Sequence, residues 1–228
     1  MSAGPGFDLV IFDCDGVLVD SEALSCAVLA ELLTELGCPT DGPEVARRFA
    51  GLTDRAIAAQ VTAERGIVLP EDFARQVSRR AIAAFEGRLQ AVPGAHEAVA
   101  AATGPRCVAS NSGPARLERC LEIVGLRDRF PADGLFSSAQ VAQPKPAPDL
   151  HLHAAAAFAA EPGRCVVIED SATGVAAAVA AGMTAIGFVG AGHIENRHRH
   201  AARLREEGAG RVIDDLRDLS AALAVLAA

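Results

Sequence analysis

The sequence predicts an α/β fold: a doubly wound, mostly parallel sheet interrupted early by an inserted helical subdomain. Three observations carry this. Short apolar runs of the kind that form fully buried strands recur along the chain. Alanine-rich helical stretches lie between them. Between the first two runs lie over ninety residues holding several helical stretches, far more than one crossover helix needs.

The first run is residues 8–13, DLVIFD, apolar and ending in acid. Others follow at 106–110 (RCVAS), 164–169 (RCVVIE), 184–189 (TAIGFV) and 211–213 (RVI). The helical stretches between them are 95–102, 114–124, 148–160 and 171–181. This alternation implies βαβ units with the sheet covered on both faces. The 48 alanines suit close helix–sheet packing and helix formation. In the long interval, 22–36, 43–50, 54–65 and 71–87 read as helices, punctuated by Gly37, Pro39, Gly51, Gly66 and Pro70. The expected organisation is therefore a core of residues 1–20 and 89–228 and a helical cap of residues 21–88. The cap follows the first strand, so it stands over that strand's carboxyl end. Hinges are expected near Val19–Ser21 and Arg88–Pro93, letting the cap open and close as a lid.

Composition narrows the function. The 228 residues carry a net charge of −8, which offers no broad electrostatic footprint for nucleic acid. No apolar stretch approaches ~18 charge-free residues, so no membrane helix is expected. The start, MSAGPGFDLV, lacks a basic segment followed by an apolar one, so no secretory signal is expected. Cys14, Cys26, Cys38, Cys107, Cys120 and Cys165 are scattered, without zinc-like spacing, and read as reduced thiols of a cytoplasmic protein. With no large exposed apolar stripe evident, a monomer is expected. Of 21 basic residues only Lys145 is lysine.

Four polar clusters stand at or just after strand ends, where open α/β sheets bind ligands. They are Asp13–Asp20, Ser110-Asn111-Ser112, Lys145 in the loop Gln143–Asp149, and Glu169-Asp170-Ser171. Asp13, Asp15, Glu169 and Asp170 would gather four carboxylates, which repel by about 4 kcal/mol per pair at ~4 Å and an effective dielectric of 20. A cation must sit among them, and an all-oxygen, carboxylate-rich set suits Mg²⁺ with a substrate phosphate. Lys145 is a second cation, and Ser110 and Asn111 are neutral donors. Asp13 reads as a nucleophile able to form an aspartyl-phosphate. Asp15 reads as general acid, then general base, a role that calls for a pKa above the reference ~3.9. Glu-Asp before Ser also reads simply as a helix N-cap.

The clusters, in this order, resemble the four motifs of the haloacid dehalogenase superfamily: DCDGVLVDSE at 13–22, SNS at 110–112, Lys145 in PKPAPD, and EDSATGVAAAVAAGM at 169–183. The cap resembles that of the group holding β-phosphoglucomutase and many sugar-phosphate phosphatases. The resemblance implies a Rossmann-like core, Asp13 as nucleophile and Asp15 as acid/base. It also implies Mg²⁺ held by the Asp13 side chain, the Asp15 main-chain carbonyl, Asp170 and Glu169, with Ser110, Asn111 and Lys145 holding the phosphate of a small phosphorylated metabolite.

Departures discriminate within the family. The dehalogenases replace the second aspartate of the first motif, so Asp15 implies phosphoryl transfer. Phosphonatases use a cap lysine, and this cap has none. The mutases carry a histidine where Ser25 stands and Gly-x-Ser-Arg where this chain reads Gly51-Leu52-Thr53-Asp54, with Arg55 one place later. A phosphatase is thus favoured over a hexose phosphate mutase. A receiver-like module accepting phosphate on aspartate is the alternative of another class. Arg55, and less so Arg47 and Arg48, are candidates to grip an anionic part of the substrate. His193 is a candidate on a glycine-rich loop, and Arg197–His200 reads as a solvated helix face.

Overall fold

Leu9–Phe12 forms β1, and all four side chains are buried. The computed structural model, which describes residues 6–49 and 51–227, shows why this run is continuously apolar. Leu9 and Ile11 pack into one apolar cluster and Val10 and Phe12 into another, so both faces of the strand are covered.

β2 (Arg106–Ser110), β3 (Leu135–Ser137), β4 (Cys165–Glu169), β5 (Thr184–Phe188) and β6 (Arg211–Ile213) complete one sheet of order β3-β2-β1-β4-β5-β6. Every pairing is parallel, so the sheet is wholly rather than mostly parallel among the described residues. β3 lies outside the five strands read from the sequence. Its three residues are too short for any periodicity to register, and it exists through its pairing with β2, Ser110 beside Ser137.

Helices clothe the sheet: α5 (Ala95–Ala101), α6 (Pro114–Ile123), α7 (Asp149–Ala157), α8 (Ala172–Ala180), α9 (Arg197–Glu206) and α10 (Leu219–Leu226). Pro114 opens α6, where a missing N–H costs nothing. Ser171 caps α8, its hydroxyl accepting from the Gly174 N–H at 3.0 Å. The sheet winds outward in both directions from β1 and β4, which leaves a crevice at their carboxyl ends.

α1 (Glu22–Glu35), α2 (Gly42–Phe49), α3 (Asp54–Arg65) and α4 (Phe73–Phe85) stand between β1 and β2 in the chain. They enclose an apolar cluster of their own that includes Leu32, Leu33, Val45, Phe49, Ile57, Val61 and Phe73. Val28, Ala81 and Phe85 join the core's cluster instead, and α4 packs on α6. The two chain crossings are bonded to each other: Asp20 N–H donates to Gln90 O at 2.9 Å, and Val92 N–H to Leu18 O at 3.0 Å. Among the described residues no helix is long and apolar enough to cross a membrane. All six cysteines are unpaired and buried.

Candidate active site

The register that pairs Phe12 with Ile168 sets the site. Asp13 N–H donates to Ile168 O at 3.0 Å, so Asp13 leaves β1 beside Glu169, the last residue of β4. Lys145 arrives from the loop before α7. Its Nζ donates to Asp13 Oδ1 at 2.8 Å, to Ala109 O at 2.7 Å and to Glu169 Oε1, which uses all three ammonium donors. With Asp170, the oxygens of Asp13 and Glu169 lie within 4.8 Å of one another.

Three carboxylates against one ammonium leave a surplus of negative charge in a buried place. Burial, then Glu169, pushes Asp13 up to about 8, although Lys145 opposes the shift. Burial and Asp13 hold Asp170 well above the carboxylate range. Burial alone would lower Lys145, but Asp13 and Glu169 outweigh it and its pKa rises. An all-oxygen cluster short of positive charge is the donor set that Mg²⁺ takes. Glu169 Oε1 accepts from Lys145 and Oε2 from the Ser171 hydroxyl at 3.0 Å, so Asp13 and Asp170 keep the freer carboxylate oxygens. Ser171 thus caps α8 and also holds the Glu169 carboxylate.

Two glycines make room. Gly16 turns the chain at φ +83°, and a Cβ there would lie 2.0 Å from Asp170 Oδ2. A Cβ on Gly174 would lie 1.9 Å from Glu169 Cδ.

Asp15 departs from expectation. Burial would raise it, but Arg116 and the Ser112 and Ser21 hydroxyls outweigh that and hold it below the usual carboxylate value. Arg116 Nη2 donates to Asp15 Oδ1 at 2.8 Å and to Ser25 Oγ at 3.1 Å, and Ser112 Oγ donates to Asp15 Oδ2 at 2.6 Å. The raised pKa expected of an acid catalyst is thus absent here, because a guanidinium is paired with the carboxylate. Arg116 is the residue sequence reading missed. The available signal was Pro114, which fixes the start of α6 and puts residue 116 in its first turn. Helical side chains lean toward the N-terminus, here toward the strand ends.

Asn111 accepts from Lys145 N–H through Oδ1 at 3.2 Å, and its Nδ2 donates to Lys145 O at 3.3 Å and Gly51 O at 3.0 Å. Its side chain clamps the Lys145 loop and reaches the segment before α3. Ser110 Oγ accepts from Ser112 N–H at 3.0 Å and lies 3.5 Å from Asp15 Oδ2.

Between α1–α4 and the strand ends is a cavity of about 210 Å³. Asp13, Asp15, Ser110, Asn111, Lys145 and Asp170 all line it. Arg55 does not: it is exposed, and its neighbour Asp54 lines the cavity instead. Arg47 also stays outside, exposed, and Arg48 is spent on Glu44 at 2.7 Å and on Glu64. Burial, then Asp15, pushes Glu22 up to about 7. His193 Nε2 lies 3.4 Å from Asp170 Oδ2. His200 does not follow the solvated-face reading: its Nε2 is 2.5 Å from Asp170 O, and it lines the cavity.

A family model described as haloacid dehalogenase-like hydrolase matches residues 7–182. The chain is 34% identical to 6-phosphogluconate phosphatase of Escherichia coli strain K12, over 79% of this chain and 82% of that one. It is 32% identical to hexitol phosphatase B of the same strain, over 77% and 81% of the two chains. A conserved haloacid dehalogenase-like protein of unknown function from Agrobacterium tumefaciens strain C58 superposes with a TM-score of 0.80 at 42% identity, covering 98% of this chain and 100% of that one.

Proposed function

The chain belongs to the haloacid dehalogenase-like hydrolase family and is a phosphoric monoester hydrolase, and we propose that it cleaves a small sugar or polyol phosphate with Mg²⁺ through an aspartyl-phosphate. The observation that carries this reading is the buried Lys145 ammonium between Asp13 and Glu169, with Asp170 within 4.8 Å. Asp13, Asp170 and the Asp15 main-chain carbonyl would hold the Mg²⁺, and Glu169 would anchor Lys145 behind them. The bound ion would offset the carboxylate charge and that of the phosphoryl group.

Asp13 attacks phosphorus while the ester oxygen departs with a proton from Asp15. Water then attacks the aspartyl-phosphate, Asp15 takes its proton, and phosphate and free Asp13 are restored. Lys145 neutralises charge on Asp13 and on the transferring group throughout. Ser110 contributes a hydroxyl to the phosphate, and Asn111 acts by fixing the Lys145 loop. In the arrangement described, Asp15 is ionised and tied to Arg116, the form required of a base. Donating a proton requires it to turn away from the guanidinium. The cap formed by α1–α4 closes over the site by flexing at the paired crossings near residues 19–21 and 88–93.

The test is phosphate release from p-nitrophenyl phosphate with Mg²⁺. Asp13→Asn and chelation by EDTA should each abolish it, and full activity in either case overturns the mechanism. Isomerisation of a hexose phosphate dependent on a bisphosphate activator, without net release, would assign the chain to the mutases instead.

A further inference from the structure

Beneath α1–α4 the cavity has an unusual charge balance for a site that binds anions. Among the described residues, the charged side chains that the four helices turn into it are Glu22 on α1 and Asp54 on α3, both acidic. Arg116 of α6 is the cation nearest them. Its Nη2 is already committed to Asp15 at 2.8 Å and Ser25 at 3.1 Å. Its Nε is buried without an acceptor. The exposed Arg203 also lines the cavity, but it belongs to α9, with His200, on the side of Asp170. The rest of the lining toward the cap is largely apolar or hydroxylic, including Leu29, Phe49, Val77 and Ser78.

We propose that this cavity selects phosphate esters whose leaving group carries no second negative charge, with Asp54 as the specificity-determining residue. The proposal rests on the phosphatase reading above and refines its substrate class. The phosphate end has Lys145 and the proposed metal to receive it. Toward the cap there is only Arg116, paired with Asp15 in this arrangement and, once Asp15 turns away, outnumbered by Asp54 and Glu22. A second anionic group there would meet two carboxylates offset by one guanidinium, which is discrimination by repulsion. Hydroxyl groups donate to those same carboxylates without adding charge.

The test compares glucitol 6-phosphate with 6-phosphogluconate, which share a carbon chain and differ by CH₂OH against COO⁻ at C1. With Mg²⁺ at pH 8, kcat/KM is measured for each, together with its Ki against p-nitrophenyl phosphate hydrolysis. The wild-type chain should prefer the neutral ester by about tenfold or more. Asp54→Asn should narrow the preference to within about threefold, while the exposed cap variant Glu71→Gln should keep the wild-type ratio. Both esters are measured on one preparation, so any loss of folded protein cancels from the ratio. A wild-type ratio near one, a ratio unchanged in Asp54→Asn, or failure of both esters to compete overturns the proposal. Absence of any release from p-nitrophenyl phosphate by the wild-type chain would instead overturn the phosphatase reading itself.

Discussion

Replacing Lys145 by arginine separates charge from shape. Lys145 is 5% exposed, and its ammonium satisfies three acceptors that surround a single nitrogen. At the 2.8 Å separation from Asp13, the attraction at an effective dielectric of 20 is about 6 kcal/mol. Desolvation offsets much of it, and removing one partner of such a buried pair costs about 3–5 kcal/mol. Lys145→Met should therefore lose about 3–5 kcal/mol of stability and all measurable turnover. Lys145→Arg keeps the charge, but a planar fork cannot place one nitrogen among three converging acceptors. Crowding into the closed site should cost about 1–3 kcal/mol. Displacement of Asp13 by ~1 Å should lower kcat about 100-fold. Steady-state turnover of p-nitrophenyl phosphate and urea unfolding measure the two effects for both variants. An arginine variant within about threefold of wild-type kcat, with unchanged stability, would show that charge alone suffices and refute the reasoning from shape.

Three further outcomes follow from the same geometry. Gly174→Ala improves helix propensity by about 1 kcal/mol, yet its Cβ would fall 1.9 Å from Glu169 Cδ. Net destabilisation of about 1–3 kcal/mol in urea and a fall in kcat are expected, and a stabilised, active variant would contradict the packing. His151 is fully buried with both ring nitrogens unpartnered, and burial, then Lys145, pushes its pKa down to about 3. The unfolded chain binds that proton near pH 6.5, so its stabilising contribution is complete above that pH and falls as the pH drops toward 3. Between pH 6.5 and 5 the wild-type chain should lose about 1.5 kcal/mol more than His151→Leu in urea unfolding, and parallel pH profiles would refute this. Finally, Mg²⁺ at about 100 times its Kd should add about 2.7 kcal/mol to wild-type stability. In thermal denaturation this is a Tm increase of about 5–10 °C, which EDTA reverses and Asp170→Asn lacks. An equal increase in Asp170→Asn would remove that residue from the metal site.

The core strands were legible because each is an unbroken apolar run, which a strand covered on both faces requires. β3 was not, because its three residues form a strand only beside β2. The four helices of the long interval were legible from glycine and proline punctuation: Gly66, for example, ends α3 in the left-handed conformation at φ 68°. α10 passed unread, since LSAALAVL is nearly uniformly apolar and shows no polar face to mark its period.

Asp13, Lys145, Glu169 and Asp170 could be named from the sequence because local signals put three of them at strand ends, and a parallel sheet gathers its carboxyl ends along one edge. The strand-end placement follows from chain order and periodicity, and the resemblance of the PKPAPD loop to the family's third motif adds Lys145. The partners of those residues follow from neither. Arg116 on Asp15 and Asn111 on the Lys145 loop are long-range bonds, set by how α6 and a loop dock on the sheet. The exchange of Arg55 for Asp54 at the cavity wall has the same origin. Successive residues on a helix point about 100° apart, so the docking angle of α3 decides which of two adjacent, oppositely charged side chains faces the cavity.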